Sequence, residues 1–231
     1  RVHTLGTVTN RMSSSNPNLQ QVTASCKEFG AEMRSLFTVR PNKVLVGADL
    51  AGLELRCLAH YMCDEAYTQE ILNGDIHTKN QESAGLGTRG EAKRFIYAYL
   101  YGGGDSLIGS IVGGGSTEGR KIKADFLANT PSLAKLRKHI EIASNKGWIK
   151  ALDGRHIQTR SSHSALNFLL QSAGAIIAKR AWVIFHEKCT LPYNQLGVIH
   201  DEIQIECDAE YADAIGQQVV QAMKDTTQYY N

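Results

Sequence analysis

Two short β-branched runs, each ending on an acid, lie near opposite ends of this chain, with glycine-punctuated helical sequence between them. The first is VLVGAD, closing at Asp49, and the second is LGVIHD, closing at Asp201. Strands at the two ends with a helical insert between them predict an α+β fold rather than an alternately wound parallel sheet. Each acid then projects from a strand end instead of into a core. Folding is expected to draw Asp49 and Asp201 together.

The intervening pattern supports this reading. Lys43 to Asp49 reads as a buried strand, and the next helix carries Leu53, Leu55, Leu58 and Ala59 on its apolar side. From Asp64 to about Ile142 the pattern is helical. Thr88-Arg-Gly-Glu91 has the form of a capping box and fixes the start of a central helix. Thr130-Pro131 is a second start signal, with proline at the first helical position. Gly102–Gly104 and Gly113–Gly115 end successive helices and offer hinges. Asp153-Gly154, between Trp148–Leu152 and Arg155–Thr159, predicts a two-residue hairpin turn. A long helix follows from about His163 to Glu187. Leu196–His200 and Ile203–Cys207 then read as strands around a His-Asp-Glu turn, with a last helix to about Thr226. The polar first 40 residues predict ordered loops and short elements.

At 231 residues the chain can form one large domain or two packed ones. No apolar run approaches the roughly 18 residues of a membrane span, so no membrane role is expected. No signal peptide is visible, and the start at Arg1 suggests a segment of something longer. Five cysteines, without C-x-x-C spacing, predict reduced thiols rather than zinc ligands. Net charge is +2 but unevenly spread. Lys135, Arg137, Lys138, Lys146, Lys150, Arg155 and Arg160 face only Glu141 and Asp153, whereas from Asp201 to Asn231 there are seven acids against Lys224. A basic middle suits a phosphate backbone and an acidic end suits metal cations, although two solvated faces would give the same pattern.

Acids on adjacent strand ends can share two Mg²⁺ ions about 3.5–4 Å apart. Magnesium takes few protein carboxylates because substrate phosphates complete its shell, so two suffice. Singly, Asp49 reads as well as a helix cap and Asp201 as a turn residue. On the capped helix, Arg89, Lys93 and Tyr97 recur every fourth residue, with Tyr101 a turn further, while Ala92, Phe95 and Tyr99 take another side, available for packing. Arg89 occupies the first turn, where the helix dipole disfavours a cation unless an anion is near. A triphosphate would supply that anion and also use the free N–H groups of the helix start. A solvated basic stripe is the alternative. Metal-holding acids plus a phosphate-holding helix are the minimum equipment for nucleotidyl transfer.

Five segments in order carry a resemblance: DLAGLELR from Asp49, DIHTKN from Asp75, TRGEAKRFIYAYLYGGG from Thr88, LNFLLQSAGA from Leu166 and HDEIQ from His200. RMSSSNPNLQQV, from Arg11, adds a sixth. With these segments the chain resembles the family A DNA polymerases, the DNA polymerase I family, and most closely the replicative enzymes of T-seven-like short-tailed phages. Gly52 stands where bacterial relatives usually carry glutamine, as in the phage branch, whereas Ser13–Ser15 is closer to the bacterial pattern. The stretches before Trp148 and before Leu196 are short beside the phage enzymes.

The resemblance implies an α+β polymerase palm, an antiparallel sheet with helices, carrying a mostly helical fingers insertion. Residues 1–63 and 163–231 would be palm and 64–162 fingers, with the exonuclease domain, thumb and final C-terminal strand absent. Asp49, Asp201 and the Leu50 carbonyl would bind two Mg²⁺ ions. Arg89 and Lys93 would grip the triphosphate, and His77 its outer phosphates. Tyr97 would stack by the sugar, Glu54 would exclude a 2′-hydroxyl and Tyr101 would close the pocket. Arg11, Asn167 and Gln171 would read minor-groove acceptors near the primer end. His200 and Glu202 would steady the primer terminus and the metal turn. The implied partners are primer-template DNA and dNTPs in the host cytoplasm, with host thioredoxin as a partner of the full-length protein outside this segment. A fragment that binds nucleic acid without catalysis and a palm like that of single-subunit RNA polymerases are the alternatives; Glu54 argues against the second.

Overall fold

Alternation along Lys43–Asp49 places Val44, Val46 and Ala48 on one side and leaves Leu45, Gly47 and Asp49 exposed on the other. The computed structural model describes residues 1–159 and 161–230, so Arg160 of the basic stretch and Asn231 at the acidic end lie outside the described residues. In order, the elements begin with β1 (Val2–His3), β2 (Ser13–Ser14), α1 (Gly30–Ser35), β3 (Lys43–Asp49) and α2 (Leu53–Met62). Then come α3 (Glu65–Leu72), α4 (Ile76–Ala84), α5 (Arg89–Leu100), α6 (Asp105–Ser110), α7 (Ser116–Ala128) and α8 (Pro131–Ser144). The hairpin β4 (Trp148–Lys150) and β5 (His156–Gln158) precedes α9 (Ser162–Lys188), β6 (Asn194–Ile199), β7 (Glu202–Asp208), α10 (Ala212–Asp225) and α11 (Thr227–Tyr230). The α+β expectation holds, with every paired strand antiparallel. Two units divide the chain: a sheet unit, Arg1–Leu53 with Gln171–Asn231, and a helical unit, Glu54–Leu170.

In the sheet unit the strand order is β3-β7-β6. β3 is therefore an edge strand, which corrects the expectation of a buried one. Ile203 and Ile205 of β7 are buried at 1% and 0% exposure with Phe185, Ile215 and Val219 from the later part of α9 and from α10. The β7 side chain that breaks this apolar rule is Glu206, buried yet satisfied. It accepts from the Arg40 backbone N–H at 2.7 Å and from the Arg40 guanidinium at 2.7 Å.

The helical unit packs around Phe95 and Phe126, both fully buried, with ring centroids 5.1 Å apart edge to face. Tyr99 joins them at 5.4 Å from Phe126 and accepts from Arg137 at 2.9 Å through its hydroxyl. Such edge-to-face pairs add about 0.5–1.5 kcal/mol to the burial itself. The capping box forms as read, with the Thr88 hydroxyl accepting from the Glu91 N–H at 3.1 Å and the Glu91 carboxylate from the Thr88 N–H at 3.0 Å. Pro131 opens α8, but the Thr130 side chain makes no cap bond. The hairpin turn is one residue longer than predicted. Ala151 N–H bonds the Arg155 carbonyl at 2.8 Å, and Gly154 takes φ +87°. That is a three-residue loop with glycine in the left-handed position.

α9 also departs from the sequence reading. It is the one described helix long and apolar enough to cross a membrane by length and composition. Of its most apolar window, 61% is buried inside the protein, as in a core helix. No disulfide forms among the described residues, and Cys57 and Cys207 are buried.

Candidate active site

Sheet register assembles the first group of side chains. In the antiparallel β3–β7 pair Asp49 stands directly opposite Glu202, and Asp201 is the residue just before it on the β6–β7 turn. The Leu50 N–H bonds the Asp201 carbonyl at 3.3 Å, which ties the end of β3 to that turn. Asp49 and Asp201, far apart in sequence, thus share one end of one sheet. Arg11 approaches the Asp201 carboxylate at 3.8 Å, with both side chains less than a fifth exposed.

The turn itself is braced. His200 has φ +56°, a left-handed conformation uncommon for a residue with a Cβ. Gln20 fixes it from the N-terminal segment: its side-chain oxygen accepts from the His200 N–H at 3.1 Å, its amide donates to the Val198 carbonyl at 3.1 Å, and its own carbonyl lies 2.8 Å from His200 Nε2. Gly47 lies beside Glu202: a Cβ there would stand 2.7 Å from the tip of that flexible side chain. Thr9 donates to Gln171 at 3.4 Å and Lys179 bonds the Asn10 carbonyl at 2.6 Å, docking the N-terminal segment on α9. Asn167 and Gln171 are one helical turn apart on α9, both half-buried.

The donor set at the sheet end suits magnesium. It offers two carboxylates plus the Leu50 carbonyl, which accepts from the Leu53 N–H at 3.2 Å and keeps a second lone pair. No group of three or more His, Cys, Asp or Glu side chains placed to hold a metal occurs among the described residues. Magnesium commonly takes only one or two protein carboxylates, with water and substrate phosphates completing its shell.

Helix periodicity assembles the second group within the helical unit. Arg89 and Lys93 are exposed along α5, Tyr97 is half-buried and Tyr101 is 49% exposed. The Tyr101 hydroxyl donates to the buried Glu54 carboxylate at 3.0 Å, joining two residues singled out separately. His77, in the first turn of α4, has its ring centroid 6.3 Å from that of Tyr97. Its Nδ1 is enclosed without a hydrogen-bond partner. Burial first, then the positive charge of Arg89, holds the imidazole below its ordinary 6.5; Lys93 adds to this and Asp75 opposes it. The anion expected beside Arg89 is already there: the Asp75 carboxylate bonds the guanidinium twice. Sequence reasoning passed over Asp75, Gln20 and Gly47, although the first two lie inside the DIHTKN and RMSSSNPNLQQV segments and the third in the strand that ends at Asp49.

The sequence matches the DNA polymerase family A model over residues 1–230. The chain belongs to DNA polymerase family A. It is 40% identical to the DNA-directed DNA polymerase of Enterobacteria phage T3, over 98% of this chain and 37% of that protein. It is similar to the same degree to the DNA-directed DNA polymerase of Escherichia phage T7. This family A chain therefore spans about 37% of the length of these phage relatives. The fold is similar to the POL domain of Pol1 from M. smegmatis, solved with DNA primer-template and dNTP. There the TM-score is 0.86 at 21% identity, over 97% of this chain and 44% of that one.

Proposed function

We propose that this chain carries the nucleotidyl-transfer centre of a phage template-directed DNA polymerase, with residues 1–63 and 163–231 acting as palm and 64–162 as fingers. The observation that carries the reading is the β3–β7 register, which sets Asp49 opposite Glu202 and beside Asp201. Asp49, Asp201 and the Leu50 carbonyl would hold two Mg²⁺ ions. Bound ions would lower the pKa of the primer 3′-hydroxyl and neutralise charge on the reacting phosphate and the departing pyrophosphate.

The chain's own residues do the rest by positioning and electrostatics. Arg89, Lys93 and His77 neutralise and orient the triphosphate, and an arriving phosphate would draw the His77 imidazole toward its charged form. Glu54, held by Tyr101, occupies the space of a 2′-hydroxyl, and Tyr97 stacks by the sugar. Arg11, Asn167 and Gln171 meet minor-groove acceptors, while His200, fixed by Gln20, steadies the primer end with Glu202. Partners are primer-template DNA and dNTPs in the host cytoplasm, with thioredoxin engaged through other parts of a full-length protein.

Primer extension by the polymerase that carries this chain tests the assignment. Asp201→Ala is expected to lower kcat about 10³-fold or more, as loss of preorganised charge stabilisation does. Near-normal turnover would end the metal reading.

A further inference from the structure

Within the proposed triphosphate grip, one acid has no role yet. Asp75 is the N-cap of α4, and its carboxylate is held in place by the His77 N–H at 3.1 Å and the Thr78 hydroxyl at 2.9 Å. From this anchored position it takes Arg89 side-on, one oxygen on Nε and the other on Nη2 at 3.1 Å. A guanidinium carries five N–H donors in a rigid planar fork. Occupying its Nε–Nη2 edge leaves the Nη1 edge for a second acceptor, and Arg89 is 56% exposed. Lysine could not share itself in this way, because an ammonium has no fixed edges.

On these grounds we infer that Asp75 is a positioning residue for the nucleotide: it clamps one edge of the Arg89 guanidinium so that the other edge is presented to a phosphate. The inference rests on the triphosphate reading of Arg89. The clamp answers two physical problems. Arg89 lies in the first turn of α5, where the helix dipole repels a cation, and the carboxylate offsets that repulsion. A long side chain also loses rotamer freedom on binding a phosphate, and a side chain already fixed loses less. Arg89 in turn holds the Asp75 carboxyl well below the usual carboxylate range, so the acid stays charged wherever DNA is copied. A clamp differs from a competitor: Asp75 need not leave when the nucleotide arrives, because the two acceptors use different edges.

A double-mutant cycle separates a clamp from a mere helix cap. Asparagine caps as well as aspartate, so Asp75→Asn keeps the start of α4 while removing the charged fork. In steady-state primer extension, Asp75→Asn is expected to raise the dNTP KM about tenfold with kcat changed less than about twofold, and to do little in an Arg89→Ala background. Its melting temperature is expected to fall only slightly, as loss of one exposed ion pair does. A normal KM for Asp75→Asn would overturn the clamp, as would an equal KM penalty with Arg89 present or removed. If the parent protein extends no primer, the polymerase reading fails first. If it extends primers and only the cycle fails, the clamp alone is wrong.

Discussion

The sheet unit and the helical unit gather their chemistry-bearing side chains by opposite routes. In the sheet unit, Asp49 and Asp201 come from distant segments and meet because backbone hydrogen bonds set the β3–β7 register. A slip of one residue would turn Asp49 to the other face. In the helical unit, Arg89, Lys93 and Tyr97 come from one helix, and α-helical geometry alone puts them on one side. Non-local pairing fixes the backbone closely, which would suit the proposed metal ligands, whose separation must be held. A local stripe of long cationic side chains tolerates more variation, which suits a mobile polyphosphate. The exceptions sharpen the contrast: Asp75, at the start of α4, restrains Arg89, and Tyr101, at the end of α5, restrains Glu54 of α2.

The widest split should appear in kinetics. Asp49→Ala, in the sheet unit, is expected to lower kcat about 10³-fold with little change in dNTP KM. Arg89→Ala, in the helical unit, should mainly raise dNTP KM, by roughly 10–10²-fold. Single-turnover extension across dNTP concentrations measures both, and matching losses in both parameters for both variants would dissolve the division of labour. Stability offers the next contrast. Phe126→Ala empties a fully buried site of the helical unit and is expected to cost about 3–5 kcal/mol. Hydrogen exchange should quicken between residues 54 and 170, and equal loss of protection in β3 and β7 would mean that the units open together.

The smallest effect is an acid dependence. In the sheet unit, the Arg40 backbone N–H, then its guanidinium, hold the Glu206 carboxyl below its ordinary 4.5. In the helical unit, the Ser132 hydroxyl, then the Tyr67 N–H, hold Asp64 below 3.8. A carboxyl depressed by folding contributes stability above its unfolded value and loses it as pH falls toward the folded one. Glu206→Gln should therefore flatten the acid limb for amides of β3, β6 and β7 and leave the α3 amides as they were. An unchanged slope in the sheet would remove Glu206 from that account.

The Gly102–Gly104 stretch offers a hinge by sequence, but a Cβ at Gly103 would meet the Ala98 carbonyl at 2.7 Å. Slower turnover in Gly103→Ala would thus report crowding at the end of α5 as readily as lost motion.

What the sequence determined alone was everything with a short period. The capping box, the α5 stripe, the strand runs ending at Asp49 and near His200, and the length of α9 all follow from neighbours within a few residues. The ordered polymerase segments supplied the family, because each records a local motif. Tertiary structure decided what depends on non-local partners. β3 is an edge rather than a buried strand because β7 takes the middle of the sheet. The turn at Asp153-Gly154 lengthened because its closing bond falls between Ala151 and Arg155. Gln20 under His200, Gly47 beneath Glu202 and Asp75 against Arg89 carry no periodic signature. Their roles arise only when separate segments approach within hydrogen-bonding distance, and composition does not encode that distance.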